Sequence, residues 1–212
     1  MDAGAPKFRR RKADRPAEIV SAALAVFAEK GFAAAKLDEI ARRAGVSKGA
    51  IYLYFATKED IFRAVVGQVI APNITAVKTM AAAHPGPLAE LLRGVVAHVS
   101  RMVETTPVGG VLKMVVAEAG NFPEIARVWH DQLVAQALGV VTTAIEAAQA
   151  RGEVKPGDPR IYGLQLIAPL LVSVLWRETF EPVGAPAFDI PAVMAQHVET
   201  LLHGMLTEGA RS

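Results

Sequence analysis

The chain has 212 residues, 52% of them apolar, which suffices for a substantial core and excludes disorder over most of its length. It has no cysteine, which excludes structural disulfides and thiol chemistry and fits a reducing compartment. Net charge is +2 but uneven: residues 1–60 carry 12 Lys/Arg against 8 Asp/Glu, and residues 61–212 carry 11 against 13, so a basic head precedes a mildly acidic body.

The opening residues, MDAGAPKFRRRKADRP, are polar and basic, with no apolar stretch that would make a secretory signal. The longest apolar run, LQLIAPLLVSVLW, contains Gln165 and Pro169 and is too short to span a bilayer. The expectation is a cytoplasmic chain with no membrane partner. Residues 1–14 read as a basic arm, with KFRRRK at 7–12 either laid along DNA or serving as a solubilising tail.

The periodicity is helical throughout, so the fold class is all-α. In the head, Asp14 caps a first helix with Pro16 in its first turn. Ile19, Val20, Ala23, Leu24, Val26 and Phe27 form its apolar face, and Gly31 stops it. A second helix over about 37–44 turns Leu37, Ile40, Ala41 and Ala44 inward and Arg42 and Arg43 outward. Gly45 ends it, and Ser47 caps a third helix. Thr57 caps a fourth, with Asp60 completing a capping box. Beyond it, helices are predicted near 57–83, 88–105, 108–119, 122–151, 160–180 and 189–208, separated by breaks rich in Gly and Pro. Pro72 and Pro169 fall inside two of them, where each kinks or breaks its helix. The chain divides into the arm (1–14), a helical head (15–60) and a helical body (61–212).

Two short helices with glycine between them form a helix-turn-helix. Ala41 is small where the helices cross, Gly45 supplies the positive φ of the turn, and Ile51 reaches back into the core. A tight corner in any helical core has the same ingredients. The third helix carries more information. At 100° per residue, Ile51 and Phe55 share a buried stripe, while Gly49, Ala50 and Leu53 face away and Tyr52 and Tyr54 lie on opposite flanks. A face meant for water would be charged. Small residues permit close approach to a major groove, Leu53 suits a thymine methyl, and Lys48 reaches guanine O6 or N7. The tyrosine hydroxyls suit phosphates on the two groove walls, and Lys58 lies in a first helical turn, where free amides favour a phosphate.

GFAAAKLDEIARRAGVSKGAIYLYFATKEDIF (31–62), with AEIVSAALAVFAEKGF before it, resembles the DNA-binding signature of the TetR family of bacterial transcriptional regulators. The resemblance covers residues 15–65. It implies that Ser47, Lys48, Gly49, Ala50, Tyr52, Tyr54 and Lys58 contact double-stranded DNA. The family's threonine or serine at the start of the second helix is replaced by Ala35 and Lys36. Lys36 then restores a phosphate contact by charge, or Asp38 caps a helix that starts later; the first reading is preferred.

The resemblance also implies a body that binds a small effector and dimerises. EAGNFPEIARVWHDQLV (118–134) resembles the AefR-like or AcrR-like branch, often tied to efflux genes. Met102, Met114, Phe122, Trp129, Leu166, Leu170 and Trp176 lie on apolar helix faces and are candidate pocket residues, with Glu118 and His130 as polar groups that orient a ligand. Each is equally an ordinary core or surface residue. The five histidines lack metal-ligand spacing, and no catalytic motif is present, so neither metal, cofactor nor catalysis is expected. The helix over 161–176 is apolar nearly all round. With the last helix it implies a four-helix dimer bundle through Leu164, Ile167, Leu171, Leu175, Val198, Leu201, Leu202 and Met205. The expected protein is a homodimeric repressor released from a palindromic operator by a small apolar or amphipathic ligand. The alternatives are an effector-independent regulator or activator, and an all-α carrier or enzyme.

Overall fold

The computed structural model describes residues 7–69 and 71–210. Helix α1 runs Lys7–Ala34 with Pro16 inside it. The helix therefore starts well before Asp14, correcting the expected cap: one interior proline removes a single backbone bond, which the flanking turns tolerate here. The side chains of the basic arm lie outside the described residues. Gly31 interrupts α1 with φ 80 and ψ 171, a conformation that is essentially glycine's alone.

Helix α2 (Leu37–Arg43) and helix α3 (Lys48–Tyr52) complete the head with helix α4 (Lys58–Val69). Between α2 and α3, Gly45 takes φ 65. Its amide donates to Arg42 O at 3.3 Å, and the Val46 amide donates to Ala41 O at 3.0 Å. That crossed pair is a Schellman stop, and it needs the glycine. Ser47 Oγ accepts from the Ala50 amide at 3.2 Å and starts α3. Thr57 and Asp60 exchange backbone and side-chain bonds at 3.2 and 3.1 Å, the reciprocal box expected at the start of α4. Ile19, Ala23, Phe27, Ile40, Ile51, Ile61 and Phe62 are fully or almost fully buried and form the head core.

The body comprises α5 (Ala71–Ala83), α6 (Leu88–Thr105), α7 (Val108–Glu118), α8 (Pro123–Trp129), α9 (Ala135–Ala150), α10 (Pro159–Thr179) and α11 (Ile190–Met205). The predicted bounds of the last six differ from these by only a few residues at most, apart from the division of 122–151 into α8 and α9. A five-residue π-helical turn, His130–Val134, joins α8 to α9. The α4–α5 junction at Ile70 lies outside the described residues, and Pro72 sits in the first turn of α5. Helix α10 continues through Pro169. Asp158 and Asp189 cap α10 and α11 by accepting from Arg160 N and Ala192 N. Within the protomer, α11 packs on α6 and α10, α10 on α9 and α7, α8 on α4, and α7 along α1.

By length and composition, Pro123–Ala150 and Pro159–Val183 are long and apolar enough to cross a bilayer. The expectation counted only uninterrupted apolar residues and missed this. In the fold both stretches line one body cavity, a packing that itself demands apolar sides.

Candidate DNA-reading head and body cavity

The reading edge is built by the end of α3 and the turn after it. Leu53 is 74% exposed and Tyr52 52% exposed. Ser47, Lys48 and Gly49 are exposed beside them, and Ala50 is half-buried. Helix α3 closes at Tyr52, and Leu53 is its C-terminal cap. The Tyr54 and Phe55 amides both donate to Ile51 O at 2.9 Å. The helical wheel therefore holds only as far as Leu53. Tyr54 is half-buried and packed against the head core, so the two tyrosines are not equivalent flanks.

The cations near this edge differ in freedom. Lys36 is exposed and flanks α2, whose N-terminus receives no side-chain cap. Asp38 does not cap α2: its carboxylate holds Lys48 Nζ at 3.0 Å, which raises the Lys48 pKa, chiefly through that hydrogen bond. Arg43 is tied to both Glu29 carboxylate oxygens at 2.7 and 2.5 Å. Lys30 holds Glu39 at 2.7 Å.

Lys58, expected to meet a phosphate, is engaged within the head of the free chain. Its ammonium turns inward and donates to the carbonyls of Phe32, Ala33 and Ala35 at 2.5, 3.4 and 3.3 Å. It also lies 4.4 Å from the centre of the Phe32 ring. Burial is the main reason its pKa falls below the ordinary lysine value. These carbonyls lie just beyond the Gly31 break, in the last turn of α1 and the link to α2, where helix-end carbonyls have no intrahelical amide to accept from, and Lys58 reaches them from the start of α4.

The same break engages Glu118, expected at a ligand pocket. Its carboxylate accepts from the Phe32 amide at 2.9 Å and the Ala33 amide at 2.6 Å. Phe122, also expected at the pocket, instead meets Phe32 edge to face with ring centres 5.1 Å apart. Glu118 and Phe122 thus fasten the body to the head. Nothing in their local sequence signals this, because the partners lie more than 80 residues upstream.

The body holds a partly open cavity of about 140 Å³ lined by α5, α6, α7, the α8–α9 helix, α10 and α11. Met102, Trp129, Leu166 and Leu170 line it, as do Ile167 and Leu171 from the expected dimer set. Ser100, Asn73, Val108, Gly109, Leu112 and Met194 are lining residues that sequence reasoning missed or left unassigned. Met114 is buried in α7 away from the cavity. His130 is exposed, its Nδ1 2.7 Å from Asp131 Oδ1. Trp176 donates from Nε1 to Pro186 O at 2.9 Å and packs its ring on Phe180 and Phe188.

Of the remaining dimer candidates, Leu164 is 55% exposed, and Leu175 and Leu201 are half-buried. Val198, Leu202 and Met205 are buried within the protomer. Their stripe faces α6 and the core, so they form no free interface.

A helix-turn-helix head joined to a helical body with an apolar cavity is the architecture of a helix-turn-helix transcriptional regulator. The chain belongs to the TetR family: residues 19–65 match the model for bacterial regulatory proteins of the tetR family, and residues 82–190 match the tetracyclin repressor-like C-terminal domain. This is a family of regulators rather than enzymes. The transcriptional repressor BepR of Brucella suis is 41% identical over 80 residues, covering 37% of this chain and 38% of BepR. The chain aligns with between 18% and 38% of the length of curated relatives such as this one. The SmeT–triclosan complex has a TM-score of 0.78 at 22% identity, covering 92% of this chain and 93% of that one. Bacillus subtilis FadR in complex with stearoyl-CoA has a TM-score of 0.74 at 22% identity, covering 89% and 98%. At such identities the likeness is one of fold.

Proposed function

We propose that the protein is a cytoplasmic, homodimeric repressor that leaves a palindromic operator when a small apolar or amphipathic ligand fills the body cavity. One helix carries the reading. Val108, Gly109 and Leu112 of α7 line the cavity, and Glu118 at its other end holds the Phe32 and Ala33 amides just ahead of α2. Gly110, beside the cavity-lining Gly109, lies so close to α1 that an added Cβ would stand 3.0 Å from Ala28 Cβ. A ligand that displaces α7 therefore moves the segment that aims α2 and α3.

The switch is two-state: the ligand favours the body geometry that sets the two heads apart from the groove spacing. Reading helices of a two-fold dimer must lie about 34–36 Å apart to enter successive major grooves. Near-complete switching needs about a 10⁴-fold preference of the ligand for the released state. Relatives support this reading by what they are described as: BepR is a repressor, SmeT is the repressor of a multidrug efflux pump and is seen with triclosan, and FadR is seen with stearoyl-CoA.

The test is selection of an operator from random duplex DNA, then anisotropy titration of that operator with and without a panel of apolar compounds. A selected palindrome whose affinity falls when a compound is added supports the proposal. A selected site that no compound weakens makes the protein an effector-independent regulator, and no selected site removes the DNA reading altogether. A reporter under the operator separates repression from activation.

A further inference from the structure

Resting on the cavity being the effector site, we propose that the effector is a small, uncharged, largely hydrocarbon molecule with one hydroxyl or carbonyl, which pairs with Ser100. Ser100 lies on the buried stripe of α6 and is 2% exposed. It lines the cavity, and its Oγ has no hydrogen-bond partner. A serine or threonine within a helix commonly folds its hydroxyl back on the carbonyl four residues earlier. Two residues at the end of the same helix do so: Thr105 donates to Arg101 O at 2.9 Å and Thr106 to Met102 O at 2.8 Å. Ser100 does not, and a buried hydroxyl without a partner is destabilising. A ligand group that meets it recovers that loss only in the bound state.

The rest of the wall sets the ligand's polarity and size. Among the described residues, the cavity is lined by no Asp, Glu, Lys, Arg or His, and Asn73 is the other polar side chain with an amide or hydroxyl. A carboxylate or ammonium placed there would lose its hydration without gaining a counter-charge. A volume of about 140 Å³ is close to that of an apolar protein cavity known to hold benzene, about 150 Å³. The ligand body is therefore about one ring in size. Met102 and Met194 are unbranched and can swing to admit a short tail.

The test uses the full chain and Ser100→Ala, each titrated calorimetrically with 4-ethylphenol, ethylbenzene and 4-ethylbenzoate. The ratio of the ethylbenzene Kd to the 4-ethylphenol Kd is expected to fall about tenfold on going to Ser100→Ala, the effect of one hydrogen bond of about 1.4 kcal/mol. The benzoate should bind the native chain more weakly than either neutral probe. Ligand-free Ser100→Ala should melt no lower than the native protein, since it removes an unpaired group. An unchanged ratio, a tightest-binding benzoate or a clearly lowered melting temperature overturns the proposal and leaves the cavity reading standing. Failure of all three probes to bind the native chain overturns both.

Discussion

The carboxylate of Glu118 occupies the space that a side chain on Gly31 would need. Gly31 holds φ 80 and ψ 171, and a Cβ built there would overlap Glu118 Oε1. Gly31→Ala therefore imposes backbone strain of about 1–3 kcal/mol. It also pushes the carboxylate off the part-buried Phe32 amide and the exposed Ala33 amide, at about 1 kcal/mol for the lost bonds. The expected result is a loss of at least about 2 kcal/mol in urea denaturation, with weakened operator binding. Glu118→Gln keeps the shape and should cost less. A Gly31→Ala protein as stable as the native chain would contradict this geometry.

Lys58 tests whether a lysine at the start of α4 serves the fold or the operator. Its ammonium pairs with three carbonyls in the free protein. Lys58→Met keeps the aliphatic stem and removes the donor, so stability should fall by about 1–2 kcal/mol. The slope of log K against log salt for operator binding should stay unchanged. A phosphate contact would instead flatten it by about 0.9.

These two sites also mark where the sequence was legible. Signals that act over three to five residues were readable: the Gly45 stop, the Ser47 cap, the Thr57–Asp60 box and most helix bounds of the body. Glu118 was legible only as a polar residue near the end of a helix, because its partners are set by how α7 lies along α1. Val198, Leu202 and Met205 have the periodicity of a buried stripe, and that periodicity is the same whether the cover is α6 or a second chain. The cavity posed a related problem. Met102, Trp129, Leu166 and Leu170 look like core residues, and what distinguishes cavity lining from core is a packing gap that no single helix encodes. Ser100 was the one available signal, a hydroxyl on an otherwise apolar stripe.

Lys48 enters the reading edge already paired, at 3.0 Å from Asp38. Binding DNA through Lys48 means breaking that exposed pair and bringing Asp38 near the phosphates. Asp38→Asn should therefore strengthen operator binding by about two- to fivefold at low salt, with the gain shrinking as salt rises. Lys48→Ala should weaken binding and reverse that gain when combined with Asp38→Asn. Anisotropy titrations at two salt concentrations check both. Equal affinities for Asp38→Asn and the native chain would place Lys48 off the DNA.

Glu153 links stability to pH. Its carboxylate accepts from the Leu88 amide at 3.0 Å, closing the start of α6, and pairs with Arg151 at 2.7 Å. The Arg151 hydrogen bond chiefly, and the Leu88 amide with it, hold its pKa below the ordinary value of 4.5. A depressed carboxylate pKa adds stability that is present above the unfolded-state value and lost as pH falls through the folded one. Glu153→Gln should thus melt below the native protein at pH 7, and the gap should narrow as pH falls below 4.5. A gap that stays constant with pH would mean that the charge contributes nothing.

The dimer face is the last point on which α10 and α11 separate. Ile161, Leu164, Leu171 and Val172 are exposed and fall within about 100° of one another around α10, a stripe wide enough to seat a partner helix. On α11, the stripe through Val198, Leu202 and Met205 is already covered inside the protomer. Leu164→Glu should leave the helical signal unchanged but shift sedimentation from dimer to monomer. Operator affinity should fall with it, since a single head reads only one half-site. Met205→Ala should do the reverse: it opens the protomer core, costs about 2–5 kcal/mol, and leaves the folded fraction dimeric. If Leu164→Glu sediments as the native protein does, the exposed stripe of α10 is not the interface.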